Sequence, residues 1–454
     1  MLRTNTCGEL RKEDEGKTVE LSGWVDSIRT SGKIGFMDLR DRYGITQIFL
    51  SPKISKIAEE ITKESVIQVK GLVKVKPKAN PGLETGEIEV SAEEIKILNK
   101  AEILPLQFEE DIQNTEETRL KYRYLDLRQA EMQKNLIIRN KAAQTVRKFL
   151  EKEGFLEIET PILAKSTPEG ARDYLVPSRI EKGNFYALPQ APEQFKQLLM
   201  IAGLDKYYQI AKCFRDEDLR SDRQPEFTQI DMEMSFFEEE DVIKLLEKMM
   251  KTIWKEVLGI EITEEFPRMP YKDAMEKYET DRPDLRKETG KEWAFTWVVD
   301  FPLFEFKEEE QRMQAMHHPF TAPKEEDIEL FEKEPLKVRA KAYDLILNGH
   351  EIGGGSIRNH TTEMQRKIFE KLGIDKKEIE EKFGFLLDAL KYGAPPHGGI
   401  AFGFDRLCML LDKEKSIRDV IAFPKTNDAK DLMTKAPSKI DKKQLDELGL
   451  EIKK

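Results

Sequence analysis

Apolar residues alternate with polar ones in short stretches over the first hundred positions, and the period then lengthens. Residues 18–25 (TVELSGWV), 35–39, 45–50, 66–75 and 87–90 carry the period of two that sends successive side chains to opposite faces of a strand. Asp41-Arg42-Tyr43-Gly44 supplies a hairpin turn between the second and third runs, and residues 54–63 (ISKIAEEITK) read as one helix. Residues 105–130 are polar, have no stripe wide enough for a core, and read as a linker. Beyond them, residues 131–153 place Leu136, Ile137, Ala142, Ala143, Val146, Phe149 and Leu150 at helical intervals. Gly154 stops that helix, and 155–159 is a short strand ended by Pro161. A second amphipathic helix spans 240–258 through Val242, Ile243, Leu245, Leu246 and Met249. Between the two helices, Tyr207, Tyr208 and Ile210, then Phe227 and Ile230, mark two strands around a charged stretch, 212–233 (KCFRDEDLRSDRQPEFTQIDME). The predicted organisation is a β-rich module at 1–104, a hinge at 105–130 and a larger domain at 131–454, in an α+β chain.

At 454 residues the chain exceeds one ordinary core, in keeping with that division. A hydrophobic content of 39% beside 35% charged residues describes a soluble globular protein, and no apolar run approaches the ~20 residues that span a bilayer. The polar N-terminus lacks a signal-peptide core, and Cys7, Cys213 and Cys408 are too few and too far apart for a disulfide framework or a zinc site. A cytoplasmic location is therefore expected. The net charge of −11 excludes a protein that coats nucleic acid non-specifically, so such a partner must meet a local basic patch. A P-loop is excluded as well, because Gly16-Lys17-Thr18 has Arg11 where its first glycine should stand.

Five strands with a helix after the third is the order of an OB-fold β-barrel. On it, Gln47 and Phe49 point the same way, with Phe36 on the partner strand, as a face that stacks single-stranded bases would require. Lys74, Lys76 and Lys78 alternate with Val73, Val75 and Pro77 and offer phosphates one cationic face. Core positions for the two phenylalanines and a solvated edge for the lysines are the competing readings. In the charged stretch, Arg215 and Glu217 stand two apart, as do Phe227, Gln229 and Asp231. A solvated loop is the ordinary reading of such a run. An arginine fork, a carboxylate and an aromatic face on one sheet surface instead suit a nucleotide's phosphates, amine and base.

Phe214-Arg215-Asp216-Glu217, the loop, and Phe227-Thr228-Gln229-Ile230-Asp231 resemble motif 2 of the class II aminoacyl-tRNA synthetases. Gly398-Gly399-Ile400-Ala401-Phe402-Gly403-Phe404-Asp405-Arg406-Leu407 is similar to motif 3, and the long helix, strand and Pro161 have the layout of motif 1. Gly-Trp-Val, the hairpin and Gly-Glu-Ile-Glu-Val resemble the anticodon-binding domain of class IIb members. Nearly the whole chain resembles the aspartate-specific family of bacterial type. That family usually inserts over a hundred residues between segments like Asp284-Leu285-Arg286 and Trp297-Val298-Val299-Asp300, which about ten residues join here.

The resemblance implies an OB-fold barrel followed by a class II catalytic domain, an antiparallel sheet flanked by helices. It implies aspartate activation with ATP and Mg²⁺, transfer to tRNA(Asp), with tRNA(Asn) a further candidate, and a homodimer built on motif 1. For ATP it implies Arg215, Glu217, Gln224, Phe227, Glu351, Gly403, Asp405 and Arg406, of which Arg215, Glu351 and Arg406 would act in catalysis. For aspartate it implies Glu169 on a mobile loop, Glu193, Lys196, Arg215, Asp231, His317 and Arg358; Lys196 and Arg358 together would select a carboxylate over an amide. Asp344 and Glu351 would hold Mg²⁺, and the glycines at 353–355 would let backbone approach the nucleotide. Arg29, Phe36, Gln47, Phe49, Lys74, Lys76 and Glu89 would meet the anticodon, and the arginines of 119–128 are further candidates for tRNA contact. The sequence departs from the family at Ala191, usually Ser, at Glu193, usually Gln, and at Ser27 and Ile28, where arginines are common. An asparaginyl enzyme, an ammonia-dependent asparagine synthetase of this fold and a non-catalytic tRNA-binding paralogue stay open as alternatives.

Overall fold

In the computed structural model, residues 1–31, 34–108, 114–166, 170–308 and 311–453 are described. The chain divides into two units, Met1–Thr118 and Arg119–Lys454. In the first, β1 (Thr18–Ser31), β2 (Ile34–Asp41), β3 (Gly44–Leu50), β4 (Val66–Val75) and β5 (Ile88–Asn99) close into a barrel of order β1-β2-β3-β5-β4. The period-two alternation makes this possible: Met37, Leu39, Ile48 and Leu50 fill the interior while their neighbours face out. The helix expected over 54–63 shrinks to one turn, Ser55–Ala58. Ala58 and Ile61 both have to reach the barrel core, and Glu64, at φ 66°, turns the chain back so that its N–H donates to Val25 O at 2.7 Å.

The second unit is built on an eight-stranded sheet. Along the chain come β6 (Leu156–Glu157), a small hairpin of β7 (Leu175–Pro177) and β8 (Phe185–Ala187), then β9 (Lys206–Phe214) and β10 (Glu226–Ser235). They are followed by β11 (Arg268–Pro270), β12 (Phe295–Val299), a second hairpin of β13 (Phe304–Lys307) and β14 (Arg312–Ala315), and finally β15 (Ala342–Leu347), β16 (His350–Ile357) and β17 (His397–Gly403). The sheet order is β11-β12-β15-β16-β17-β10-β9-β6. The expected antiparallel sheet is mixed: its six central strands are antiparallel, while β11 on β12 and β6 on β9 pair in parallel at the two edges.

One face of this sheet is covered by the helices Ala130–Lys152, Glu239–Ile253 and Phe404–Asp412, which bury Val146, Leu150, Leu246, Met249 and Leu407 against Ile230, Met232 and Met234. The helix expected over 240–258 is α-helical only to Ile253; Trp254–Leu258 continue as a π-helical turn that buries Trp254 before Gly259 at φ 73°. Residues 119–130 prove structural. Arg123 is buried, its Nε donating to Ala422 O at 2.9 Å and its Nη2 to Arg418 O at 2.7 Å, and Arg119 Nε bonds Asp126 at 2.9 Å. Arg123 is thereby withdrawn from the tRNA role expected of it.

The other face carries the odd-numbered residues of β10: Phe227, Gln229, Asp231 and Glu233. On β17, Gly399 opposes Glu233 and Ala401 opposes Asp231, so small residues leave the acidic side chains room. A Cβ on Gly399, the partner of Glu233, would lie 2.1 Å from Met232 O and 2.1 Å from Glu233 Oε2. Gly399→Ala is expected to lower unfolding free energy by about 1–3 kcal/mol, as overpacking does. Denaturant melts would measure it, and an unchanged midpoint would contradict the packing described.

Candidate active site

All eight residues assigned to a nucleotide from the sequence line one cleft of about 200 Å³. β9 ends at Phe214, so Arg215 and Glu217 reach the cleft from the loop rather than from an extended strand. The Arg215 guanidinium lies 5.1 Å from the centroid of the Phe227 ring, a cation–π contact that holds fork and ring together. Its Nε is buried without a partner among the described residues, as is Nε of Arg406. Arg406 starts the helix Phe404–Asp412 and is aimed by Asp222, 3.2 Å from its Nη2, and by the main-chain oxygen of Glu351. Two of the eight are engaged in building the wall. The Gln224 amide donates to Lys425 O at 3.0 Å and accepts from Lys425 N at 2.7 Å. Asp405 accepts from Thr228 N at 2.7 Å and from Arg139 at 2.6 Å, tying the Arg406 helix to β10.

Along β10 from this cleft lies a buried cluster of five ionisable side chains. Lys196, on the helix Glu193–Ile201, sets its ammonium 3.0 Å from Asp231, 3.3 Å from Glu233 and 3.4 Å from Glu193. Arg358 grips Glu233 through Nε and Nη2 at 3.0 and 3.2 Å, donates to Ser356 Oγ at 2.8 Å, and stands 3.4 Å from Glu193. Burial works against both cations, yet the three carboxylates hold the Lys196 ammonium well above its ordinary pKa. Burial also opposes the charge on Glu193, but Arg358 and Lys196 keep its carboxyl below the usual range. Asp231 goes the other way: burial, only partly offset by Lys196, pushes it up to about 7. Its second oxygen, Oδ1, has no partner among the described residues.

His317 and His318 follow β14 in a loop rather than lying in a strand. His317 Nε2 is 2.9 Å from Asp344, whose charge raises the imidazole pKa against the effect of burial, and its Nδ1 has no partner among the described residues. His318 is pushed down to about 4 by burial, against the pull of nearby Glu193. Asp344 and Glu351 stand on paired strands, and Glu351 is raised by lost hydration and by the Asp344 charge although it opens partly to the cleft. Two mutually repelling carboxylates beside a phosphate-sized cleft suit a hard divalent cation that completes its shell with phosphate oxygens. Among the described residues no group of three or more such side chains is gathered for a metal. The glycines at 353–355 serve packing more than nucleotide approach: a Cβ on Gly354 would lie 2.7 Å from Asp344 Oδ1, and only Gly353 lines the cleft. Glu169 lies outside the described residues.

In the other unit, Phe36 and Phe49 face outward on β2 and β3, ring centroids 5.6 Å apart, not into the core. Arg29 opposes Phe36 on β1 and bonds Asp38 at 2.7 Å; Gln47 opposes Asp38. Gln47 and Glu89 each precede the Ile48–Val90 pair by one residue, and Glu89 opposes exposed Lys74. Partial burial raises Glu89, with Lys76 and Lys74 pulling it back. Aromatics, an amide and charges of both signs thus share an outer face of the barrel.

A family model for class II tRNA synthetases (D, K and N) matches residues 115–427, and one for the OB-fold nucleic acid binding domain matches 19–98. The chain belongs to the class II tRNA synthetases. It is 45% identical over 586 aligned positions to an "Aspartate--tRNA(Asp/Asn) ligase" of Desulfatibacillum aliphaticivorans, covering 100% of this chain and 98% of that protein. With an "Aspartate--tRNA ligase" of Thermosipho africanus it shares 46% over 578 positions, covering 100% and 98%. In fold it is similar to asparaginyl-tRNA synthetase from Pyrococcus horikoshii in complex with asparaginyl-adenylate (TM-score 0.78, 23% identity, 94% of this chain and 99% of that one). It is likewise similar to the aspartyl-tRNA synthetase of Entamoeba histolytica (TM-score 0.74, 22% identity, 92% and 90%).

Sequence reasoning missed one residue of this synthetase's charge cluster. Glu233 continues the 227-229-231 alternation by one step, and that period was signal enough to find it. His318, passed over in favour of His317, stands close enough to Glu193 and Arg358 to feel their charges. The cluster also sets a pH dependence. Between about pH 4 and 7 folded Asp231, with its pKa near 7, keeps a proton that the unfolded chain, near 3.8, has released; this group therefore makes stability fall as pH rises. Asp231→Asn is expected to remove that part of the fall. The stability of variant relative to wild type should climb from pH 4 to 7 in denaturant titrations, and parallel curves would show Asp231 ionised throughout.

Proposed function

We propose that this synthetase joins L-aspartate to ATP, forming aspartyl-adenylate and pyrophosphate, and passes the aspartyl group to the terminal ribose of tRNA(Asp). tRNA(Asn), which the Desulfatibacillum relative's name includes, is the second acceptor we propose. The observation that carries the reading is one strand, β10, leading from a cleft lined by Arg215, Phe227 and Arg406 to the buried Lys196–Arg358 pair. Adenine would stack on Phe227, Arg215 would take the α-phosphate and Arg406 the γ end; the unpartnered Nε of each arginine supports those roles. The substrate's side-chain carboxylate would meet Lys196 and Arg358, and its ammonium would meet the free oxygen of Asp231, with His317 nearby. The attacking α-carboxylate is already ionised at neutral pH, so the chain needs no general base, and positioning with charge neutralisation carries the rate. Asp344 and Glu351 fit Mg²⁺, which would neutralise phosphate charge when bound.

The outer face of the barrel supports anticodon reading by stacking on Phe36 and Phe49 and by polar contacts from Arg29, Gln47, Lys74, Lys76 and Glu89. It would have no purpose in a tRNA-free asparagine synthetase. Ile137, Leu156, Ile162 and Leu163, exposed along the motif 1 helix and the segment after it, support burial against a second copy in a homodimer. The three cysteines are buried and none is joined in a disulfide, and among the described residues no helix is long and apolar enough to cross a membrane; a cytoplasmic location is part of the proposal.

Aspartate-dependent ATP–pyrophosphate exchange without tRNA tests the chemistry. Exchange with aspartate but not with asparagine or lysine is expected, and its absence from folded protein would overturn the reading. Arg406→Ala should slow exchange by about 10²–10³-fold, the usual loss for one charge-stabilising donor. Phe36→Ala should leave exchange intact and raise the KM for tRNA by the ~1–3 kcal/mol of one lost stack.

A further inference from the structure

We propose that Glu193 is a built-in competitor for the aspartate pocket: its carboxylate holds Lys196 and Arg358 until the substrate's side-chain carboxylate displaces it. The inference rests on the reading that this cation pair receives that carboxylate. In the structure neither cation is free. The Lys196 ammonium faces three carboxylates, and Arg358 has Nε and Nη2 on Glu233 and Nη1 between Ser356 and Glu193. A fourth carboxylate must therefore replace one already present.

Glu193 is the one placed to leave. Its distances to Lys196 and Arg358, both 3.4 Å, are the longest that either cation makes within the cluster. Asp231 and Glu233 are fixed on a central strand with no exposure, whereas Glu193 opens the helix Glu193–Ile201 at the margin of the cluster and is 7% exposed. Its one hydrogen bond within the helix is accepted from Gln197 Nε2 at 3.0 Å. Nor is Glu193 needed for the substrate ammonium, since Asp231 Oδ1 has no hydrogen-bond partner among the described residues. Glu193 and Glu233 already match the two cations, and Asp231 adds a third carboxyl group beside a His318 held neutral, so an incoming carboxylate is favoured only once Glu193 has withdrawn.

Glu193→Gln keeps the shape and removes the charge. In pyrophosphate exchange it should lower the KM for aspartate at least tenfold, with the KM for ATP measured alongside as the internal reference. Calorimetric titration of L-aspartate should show the same gain in affinity. An unchanged or raised KM for aspartate would overturn the proposal, a rise meaning that Glu193 itself grips the substrate. Glu193→Ala should shift KM in the same direction and serves if the first variant does not fold, as judged by thermal melting. A wild type that binds ATP but shows neither aspartate binding nor exchange would instead defeat the functional reading, an outcome distinct from a failure of this inference.

Discussion

The constraint on which this structure depends is the compensation of charge inside the catalytic unit. Lys196 and Arg358 are buried, and an uncompensated buried cation carries a penalty of several kcal/mol, so each has to be surrounded by carboxylates before the fold can close. Asp231 and Glu233 supply them from β10, and Gly399 on the neighbouring strand leaves the space Glu233 fills. Such a cluster is a poor source of stability compared with an apolar core of equal volume. In the proposed function its presence in the middle of a well-packed sheet serves recognition: the cations would form a fixed, water-poor site for an anion, where each interaction is stronger than at the surface.

The same strand coordinates the two halves of the proposed chemistry. Phe227 and Gln229 face the cleft, while Asp231 and Glu233 face the charge cluster, at the ~7 Å intervals of alternate residues in a strand. A nucleotide over Phe227 and an amino acid over Asp231 would thus be held in register by one rigid element, without a mobile loop to set their separation. Asp405 extends the arrangement to the third motif, because its bond to Thr228 N fixes the Arg406 helix to β10. Arg406 therefore approaches the cleft from a helix whose relation to β10 is set by a buried carboxylate rather than by the ligand.

Much of this was legible in the residues. Period two found the barrel strands and placed Phe36 and Phe49 together, though only the register showed that they face outward. The residues assigned to a nucleotide do come together in one cleft, but the bonds of Gln224 and Asp405 were not visible, because their partners, Lys425 and Thr228, lie about 200 residues away or across the sheet. Sequence distance also hid Arg123: a segment that reads as a polar linker is anchored by bonds to Arg418, Ile421 and Ala422. Local pattern reports which face a side chain takes; it does not report which distant backbone oxygen awaits it.

The segment between β11 and β12 shows how much the catalytic sheet can do without. Alignment with the Desulfatibacillum relative runs over 586 positions against 454 residues here, so the relatives carry a long stretch this chain lacks. β11 and β12 are parallel neighbours, and parallel neighbours cannot be joined by a tight hairpin; they need a crossover. Here the helix Tyr271–Tyr278 and the turn Arg286–Thr289 supply it, with Gly290 at φ 66° leading into β12. If, as the sequence places it, the extra stretch of the relatives belongs in this crossover, it lengthens a connection at the sheet's edge. The strands that bear Asp231, Glu233, Asp344, Glu351 and Arg406's neighbours pair with one another inside that edge. The cluster and the cleft draw on these strands and on the helices Glu193–Ile201 and Phe404–Asp412, none of which lies in the crossover, which is the physical reason such a stretch can be absent while the cluster and the cleft stand complete.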